Sequence, residues 1–299
     1  MLNFKRIVFF VSGCFLIFGL TECNHPNKSD NQTIKEDVSI DTLPTLIKYE
    51  SSIFPIPSPW QVVGLVKNLS IPYNENLLNR YDRYQKYGKS FKQALNLGIY
   101  GADISYLCIY DRTQEAIKYL DAIRKLCDQL GLEQIFDQNF FDAVEQNINN
   151  KDSLARIITK AYSSSDLYLK TNERSDIGAL IVAGSWIESM YFLTQIALGN
   201  SIRDIINRFG EQKHPLDNLI ELLTPYYYKS SDFSELIDEL INVAYEYDGI
   251  IYSYNYKEPI IDAANRQITI NSTTQVVVSE YHIRIISSKI ESIRNKLVE

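Results

Sequence analysis

The stretch Gly98-Ile-Tyr-Gly-Ala-Asp-Ile-Ser-Tyr-Leu-Cys-Ile-Tyr-Asp111 is apolar on nearly every side, holds a row of small residues and places one carboxylate, Asp103, in its middle. A helix that is hydrophobic all round has no solvent face and must be surrounded by protein. Residues 90–110 are therefore expected to form the central buried helix of an all-α domain. At 100° per residue, Gly98, Gly101, Ala102 and Ser105 fall on one side, where small side chains let another backbone approach closely. Residues 176–198 are a second nearly all-apolar run, with Gly178, Ala183, Gly184 and Ser185 of their own. The two helices are expected to meet along these small faces.

Outward from this pair, helix starts and stops can be placed by their caps. Ser58 followed by Pro59 opens a helix over residues 59–68, since proline lacks only an amide that the first turn leaves unpaired anyway. Asn74 is expected to cap a short helix through about residue 84. Asp111-Arg-Thr-Gln114 reads as a capping box that restarts the chain after a bend. The helix that follows carries Ala116, Ile117, Leu120, Ile123 and Cys127 on one face and ends at Gly131. Further helices are expected around 134–138 and 140–148, from Asp152 or Ser153 to about 170, and over 201–209, 216–223 and 279–297. A turn is expected at His214-Pro215, and Asp232 is expected to cap a long helix. The alternating Tyr252, Tyr254 and Tyr256 leave open whether that helix continues or gives way to a strand. Residues 266–271 and 274–278 are rich in Ile, Val and Thr and are expected to pair as a small hairpin around Ser272-Thr273. Together these make an antiparallel bundle of about ten helices with at most one small β-hairpin near the C-terminus.

The chain begins with a different kind of segment. Lys5 and Arg6 precede an uncharged, mostly apolar run from Ile7 to Leu20. It is shorter than the ~20 residues that span a bilayer and suits the core of a secretory signal. Leu20-Thr21-Glu22-Cys23 resembles a bacterial lipobox, which implies that Cys23 is diacylated and becomes the first mature residue. Glu22 departs from the Gly, Ala or Ser usual at that position, and cleavage by the ordinary signal peptidase is the alternative. The polar residues after Cys23 show no apolar periodicity and suit a tether. The expected organisation is a signal peptide over 1–22, a lipidated Cys23 with a flexible tether over 23–50, and one helical domain over 51–299. This address implies a Gram-negative cell envelope, with the outer membrane as the membrane of residence.

Of the four cysteines, Cys14 lies in the signal and Cys23 is the proposed lipid site. Cys108 and Cys127 remain. A disulfide needs Cα atoms within ~7 Å, whereas 19 helical residues span ~28 Å, and a hairpin turning near Asp111 also holds the two apart. Two buried free thiols are expected.

Asp103 and Glu188 are each the only carboxylate deep inside an apolar helix. An unpaired buried charge is costly, so each needs a partner or a raised pKa. With Tyr106 and Tyr191 they form a candidate buried polar site. Facing one cavity, the pair could do acid–base work or bind a cation; alternatively, tyrosine hydroxyls or a basic residue such as Arg112 or Arg294 satisfy them structurally. No catalytic residue is assigned. The three histidines, at 25, 214 and 282, make no metal-ligand spacing, and Gly-x-Ser-x-Gly elbows and phosphate-binding glycine loops are missing from the sequence. No metal or cofactor is expected. The net charge of −7 gives no electrostatic footprint for nucleic acid. Among the 21 tyrosines, Tyr226-Tyr227-Tyr228 and those from 245 to 256 cluster, as core and rim packing or as a contact surface for a sugar or a protein.

Ala94-Leu-Asn-Leu-Gly-Ile-Tyr-Gly-Ala-Asp-Ile-Ser-Tyr106 and Gly184-Ser-Trp-Ile-Glu-Ser-Met-Tyr191 resemble stretches of a family of Bacteroidota lipoproteins with no established activity. The resemblance covers most of the chain after Cys23 and implies the address, not a mechanism. Three functions fit these observations: a lipid-anchored, non-enzymatic module that binds a small ligand or another envelope protein; an envelope enzyme using Asp103 and Glu188; or a structural spacer.

Overall fold

The computed structural model of the protein describes residues 45–49, 52–56, 58–262 and 266–299. The expected signal segment, Cys23 and most of the tether lie outside them. The helices among the described residues are α1 (Pro59–Asn68), α2 (Ser90–Ile109), α3 (Thr113–Leu130), α4 (Gln138–Asn147), α5 (Lys151–Thr171), α6 (Ser175–Gly199), α7 (Arg203–Gly210), α8 (Lys213–Leu223), α9 (Ser231–Tyr247) and α10 (Glu280–Val298). The protein is all-α, and the β-structure among the described residues consists of short two-stranded ladders.

The two apolar helices lie at the centre because they have no side to offer water. Along α2 every residue from Ala94 to Tyr100 and from Ala102 to Ile109 is buried; α6 is buried almost throughout from Asp176 to Ala197. By length and composition α6 could cross a membrane, but 94% of its apolar window is covered by the protein itself, which makes it a core helix. Around this pair pack helices with one apolar face each. α3 covers α2, while α10 lies between α6 and α9. On α10, Ile283, Ile286, Ile290, Ile293 and Leu297 are all buried, as their spacing predicts.

Several boundaries follow from their caps. The Ser58 backbone N–H donates to Gln61 Oε1 at 2.9 Å, and Pro59 opens α1. Asp137 and Asn150 accept from the backbone N–H groups of Phe140 and Ser153 at the starts of α4 and α5. The Ser279 hydroxyl accepts from His282 N–H at the start of α10. Gly131 has φ 64°, and the Leu132 N–H reaches the Cys127 carbonyl at 2.9 Å, which closes α3 with a Schellman turn.

Elsewhere the structure departs from expectation. The capping box at Asp111 does not form. Asp111 itself adopts φ 60° and makes the bend, and its carboxylate lies by Lys67 and Lys151 rather than over the helix start. The expected short helix after Asn74 is broken into two 3-10 turns, Glu75–Leu77 and Tyr81–Lys86. Leu78 between them is extended, which turns Asn79 into the core. The segment around 134–138 is a turn; its helix is only α4. Pro215 lies inside the first turn of α8, where no intrahelical donor is lost.

The strands are β1 (Thr45–Tyr49), β2 (Ser52–Ile56), β3 (Ile251–Asn255), β4 (Ile260–Asp262), β5 (Gln267–Thr269) and β6 (Thr273–Val277). β1 and β2 form an antiparallel pair in a region expected to be linker and lead-in. Near the C-terminus there is one long hairpin arm, but β5 and β6 do not pair with each other as the sequence suggests. β6 pairs with β3, and β5 with β4. From the pair Asn255–Thr273 to the pair Ile260–Thr269 the first strand takes five steps and the second four. The extra residue makes a bulge over 256–259, where Pro259 has no N–H to give to a ladder. Ser272 locks the joint by hydrogen bonds to both the N–H and the carbonyl of Lys257, each 3.0 Å.

Candidate functional site

The seam between α2 and α6 brings the candidate carboxylates together. A Cβ added to Gly98 would sit 2.0 Å from the Ile181 carbonyl oxygen, and one added to Gly184 would sit 1.9 Å from the Leu95 carbonyl oxygen. The two backbones therefore touch directly at these glycines. Gly178, expected in the same seam, faces the Leu169 side chain of α5 instead.

Asp103 and Glu188 are both completely buried and interact electrostatically. Glu188 is held by Arg294 from α10. Arg294 Nε donates to Oε2 at 3.0 Å and Nη2 to Oε1 at 2.9 Å, a bidentate pair. The guanidinium lies 4.6 Å from the centre of the Tyr191 ring and its Nη2 also reaches the Leu77 carbonyl at 3.4 Å. Burial alone would lower the pKa of Arg294, but Glu188 beside it more than compensates and keeps it charged. Burial pushes the Glu188 carboxyl up, and Arg294 opposes this. Asp103 has no such cation bonded to it. Burial first, and the Glu188 charge second, push its carboxyl well above the usual range, against the weaker opposing pull of the Arg294 charge. The Asn79 backbone and the Glu188 carboxyl lie close enough to interact with it as weak hydrogen-bond partners, but neither meets ordinary hydrogen-bond geometry. Glu188 is thus the carboxyl held against Arg294, and Asp103 is the one pushed more strongly toward its neutral form.

Of the two tyrosines in the candidate site, Tyr191 belongs to it and Tyr106 does not. The Tyr106 hydroxyl accepts from the Asn74 N–H at 2.9 Å, and its ring packs among Tyr73, Tyr110 and Phe192. Arg112 is likewise elsewhere, paired with Glu115 and lying over the Tyr73 ring. The residues that sequence reasoning missed are Asn79 and Asn96. Asn79 Nδ2 donates to the Tyr87 hydroxyl at 3.1 Å and to Asn96 Oδ1 at 3.3 Å; Asn96 Nδ2 donates to the Leu297 carbonyl at 2.9 Å. Asn79 sits in an aperiodic loop, so no pattern marked it. Asn96 could have been found as a polar interruption of the apolar run that leads to Asp103.

This network joins the loop around residue 79, both central helices and the end of α10. Chemically it is a sealed ion pair with a second buried carboxyl beside it. Cys108 and Cys127 are buried free thiols, as expected, and burial raises both above the ordinary thiol range. Among the described residues, no group of three His, Cys, Asp or Glu side chains could hold a metal ion.

The protonation of Asp103 has a measurable consequence. An acid whose pKa is higher folded than unfolded binds more protons in the native state between the two values. Stability therefore falls as pH rises above about 4, the unfolded aspartate value, until Asp103 has ionised in the folded protein. Asp103→Asn is isosteric with the neutral acid. It is expected to leave stability unchanged or raised at pH 7 and to flatten that decline, read from denaturant unfolding at several pH values. A large loss of stability at pH 7 would mean that Asp103 is ionised in the native protein.

A second feature is exposed rather than sealed. On the arm, Ile251, Tyr252, Tyr254, Tyr256, Ile260, Ile261, Ile268, Ile270 and Val277 are between 38% and 76% exposed. Its base is seated on α7: the Tyr252 hydroxyl donates to the Gly210 carbonyl at 2.7 Å, and Val276 fills the space that a Cβ on Gly210 would need. Burial, with Asp217, Asp248 and Glu211 nearby, pushes the Tyr252 hydroxyl up to about 12. Of the other tyrosine cluster, Tyr228 is 96% exposed, whereas the Tyr227 hydroxyl is tied to Asp238. No protein-family model, curated protein or solved structure matches this chain.

Proposed function

We propose that this chain is a lipid-anchored helical protein of a Gram-negative cell envelope, held in the outer membrane through Cys23, that works as a non-enzymatic module binding another envelope protein through its β-arm. The exposed arm is the observation that carries this reading. Soluble surfaces seldom expose so many large apolar side chains together unless something covers them. The address rests on the signal-like start, on Leu20-Thr21-Glu22-Cys23 and on the resemblance to Bacteroidota lipoproteins. Catalysis by Asp103 and Glu188 is disfavoured because neither has any exposed surface and Arg294 occupies both oxygens of Glu188. A plain spacer has no need of the arm's apolar surface.

The experiment is photo-crosslinking in cells, with a photoreactive residue at Tyr256 on the arm and, as control, at Glu173 on the helical body; both positions are exposed. Covalent protein adducts are expected at 256 and not at 173. Absence of any adduct at 256 would sink the binding module. Fractionating the same cells tests the anchor: Cys23→Ala is expected to move the protein from membrane to soluble fractions, and unchanged membrane retention would remove the lipid from the proposal.

A further inference from the structure

The two edges of the arm differ in a way that selects what pairs with it. Between β3 and β4 the chain carries Lys257, Glu258 and Pro259, and β4 ends on Asp262. Charges and a proline on an edge are what keep other strands away. Along the other edge, residues 267–278 read Gln-Ile-Thr-Ile-Asn-Ser-Thr-Thr-Gln-Val-Val-Val, twelve residues without a charge or a proline and rich in β-formers. Both ladders are two-stranded, so the outer side of β5 and β6 has no strand beside it among the described residues.

The distal ladder also needs support. β4 and β5 are three residues each, and an isolated two-stranded hairpin is marginal in water. Ile261 stands opposite Ile268 and thus on the same face, with Ile270 two residues further on, and all three are exposed. Near the body the corresponding face, at Val276, is covered by α7; at the tip no described residue covers it.

We propose that the uncharged edge formed by β5 and β6 pairs antiparallel with the same edge of a second copy of this chain, giving a twofold dimer with a continuous four-stranded sheet. This rests on the reading of the arm as a protein-contact surface and identifies the envelope protein that it meets as a second copy of the chain itself. Self-pairing about a twofold axis brings a strand against itself, so any charge at its centre would meet a like charge, which is destabilising. This edge has none, whereas the other carries Lys257, Glu258, Pro259 and Asp262. The antiparallel arrangement also lays each tip beside the base of the other arm. On the pairing edge itself Ile268, Ile270 and Val277 are 64%, 76% and 55% exposed, apolar surface that a second copy laid alongside would cover in part.

The test uses the full chain in detergent, with mass read by light scattering and sedimentation at micromolar concentration. Wild type is expected to be a dimer. Thr269→Lys/Gln275→Lys and Thr269→Glu/Gln275→Glu, both at exposed positions, are each expected to be monomeric with wild-type helical content. Mixing the two is expected to restore a 1:1 heterodimer, a result that misfolding could not give. A monomeric wild type, an open-ended polymer, or a lysine variant that still dimerises would overturn the second copy as partner. In the crosslinking experiment with the photoreactive residue placed instead at exposed Ile270 on the pairing edge, an adduct of twice the chain mass supports the pairing. An adduct with a different protein alone overturns the pairing while leaving the binding module standing.

Discussion

Arg294→Met is expected to be the most damaging single substitution in the core. It leaves the Glu188 carboxylate buried without its bidentate partner and next to Asp103. Removing one member of a buried ion pair costs about 3–5 kcal/mol, which in a domain of this size lowers the melting temperature by roughly 10 °C. Replacing both members reverses much of the loss, because what hurts is the orphaned charge rather than the missing bond. Arg294→Met/Glu188→Gln is therefore expected to be clearly more stable than Arg294→Met alone when both are unfolded in urea. Equal stability of the two would show that packing of the arginine stem, not charge, is what α10 contributes here.

Gly98→Ala and Gly184→Ala are the second pair of large effects. Each added methyl would lie about 2 Å from a backbone carbonyl oxygen of the other helix, and a backbone oxygen cannot rotate away. The helices must separate, opening space along a seam that is otherwise closely packed. Overpacking of this kind costs about 1–3 kcal/mol and sometimes more, and against backbone the upper end is expected for each. The double variant is expected to cost less than the two losses added together, since the first methyl already forces apart the helices that the second would meet. Thermal unfolding of the three variants decides this. Strict additivity would mean that the two glycines act at independent contacts. Gly178→Ala, facing only the end of a leucine side chain, provides the mild comparison.

These glycines also show which parts of the structure could be read from the chain. The helices were legible because their cause is local: an apolar period, a cap, a stop. The seam was legible at Gly98 and Gly184 for the same reason, since small residues at helical spacing have one common use. Gly178 was misplaced because the partner of a helix face is chosen by tertiary packing. The pairing of β5 was misread for a similar reason. Propensity marks a strand, but its neighbour depends on the bulge over 256–259, which no alternation announces. Asp103 and Glu188 stand out by their apolar surroundings, and Arg294 is one of two basic residues the sequence suggests for them. The choice between Arg112 and Arg294 needed the route of α10. Asn79 carried no signal, because its burial is imposed by the loop that α2 and α10 hold in place.

The ties that Arg294 and Leu297 make reach back 217 residues to Leu77 and 201 residues to Asn96. Such long loops are slow to close, and contacts of high sequence separation delay folding. A chain emerging from its N-terminus holds Glu188, the two asparagines and the central seam long before it holds the arginine that pairs with Glu188. The C-terminal helix is therefore expected to complete the core late in folding, because the cation that answers Glu188 comes with it.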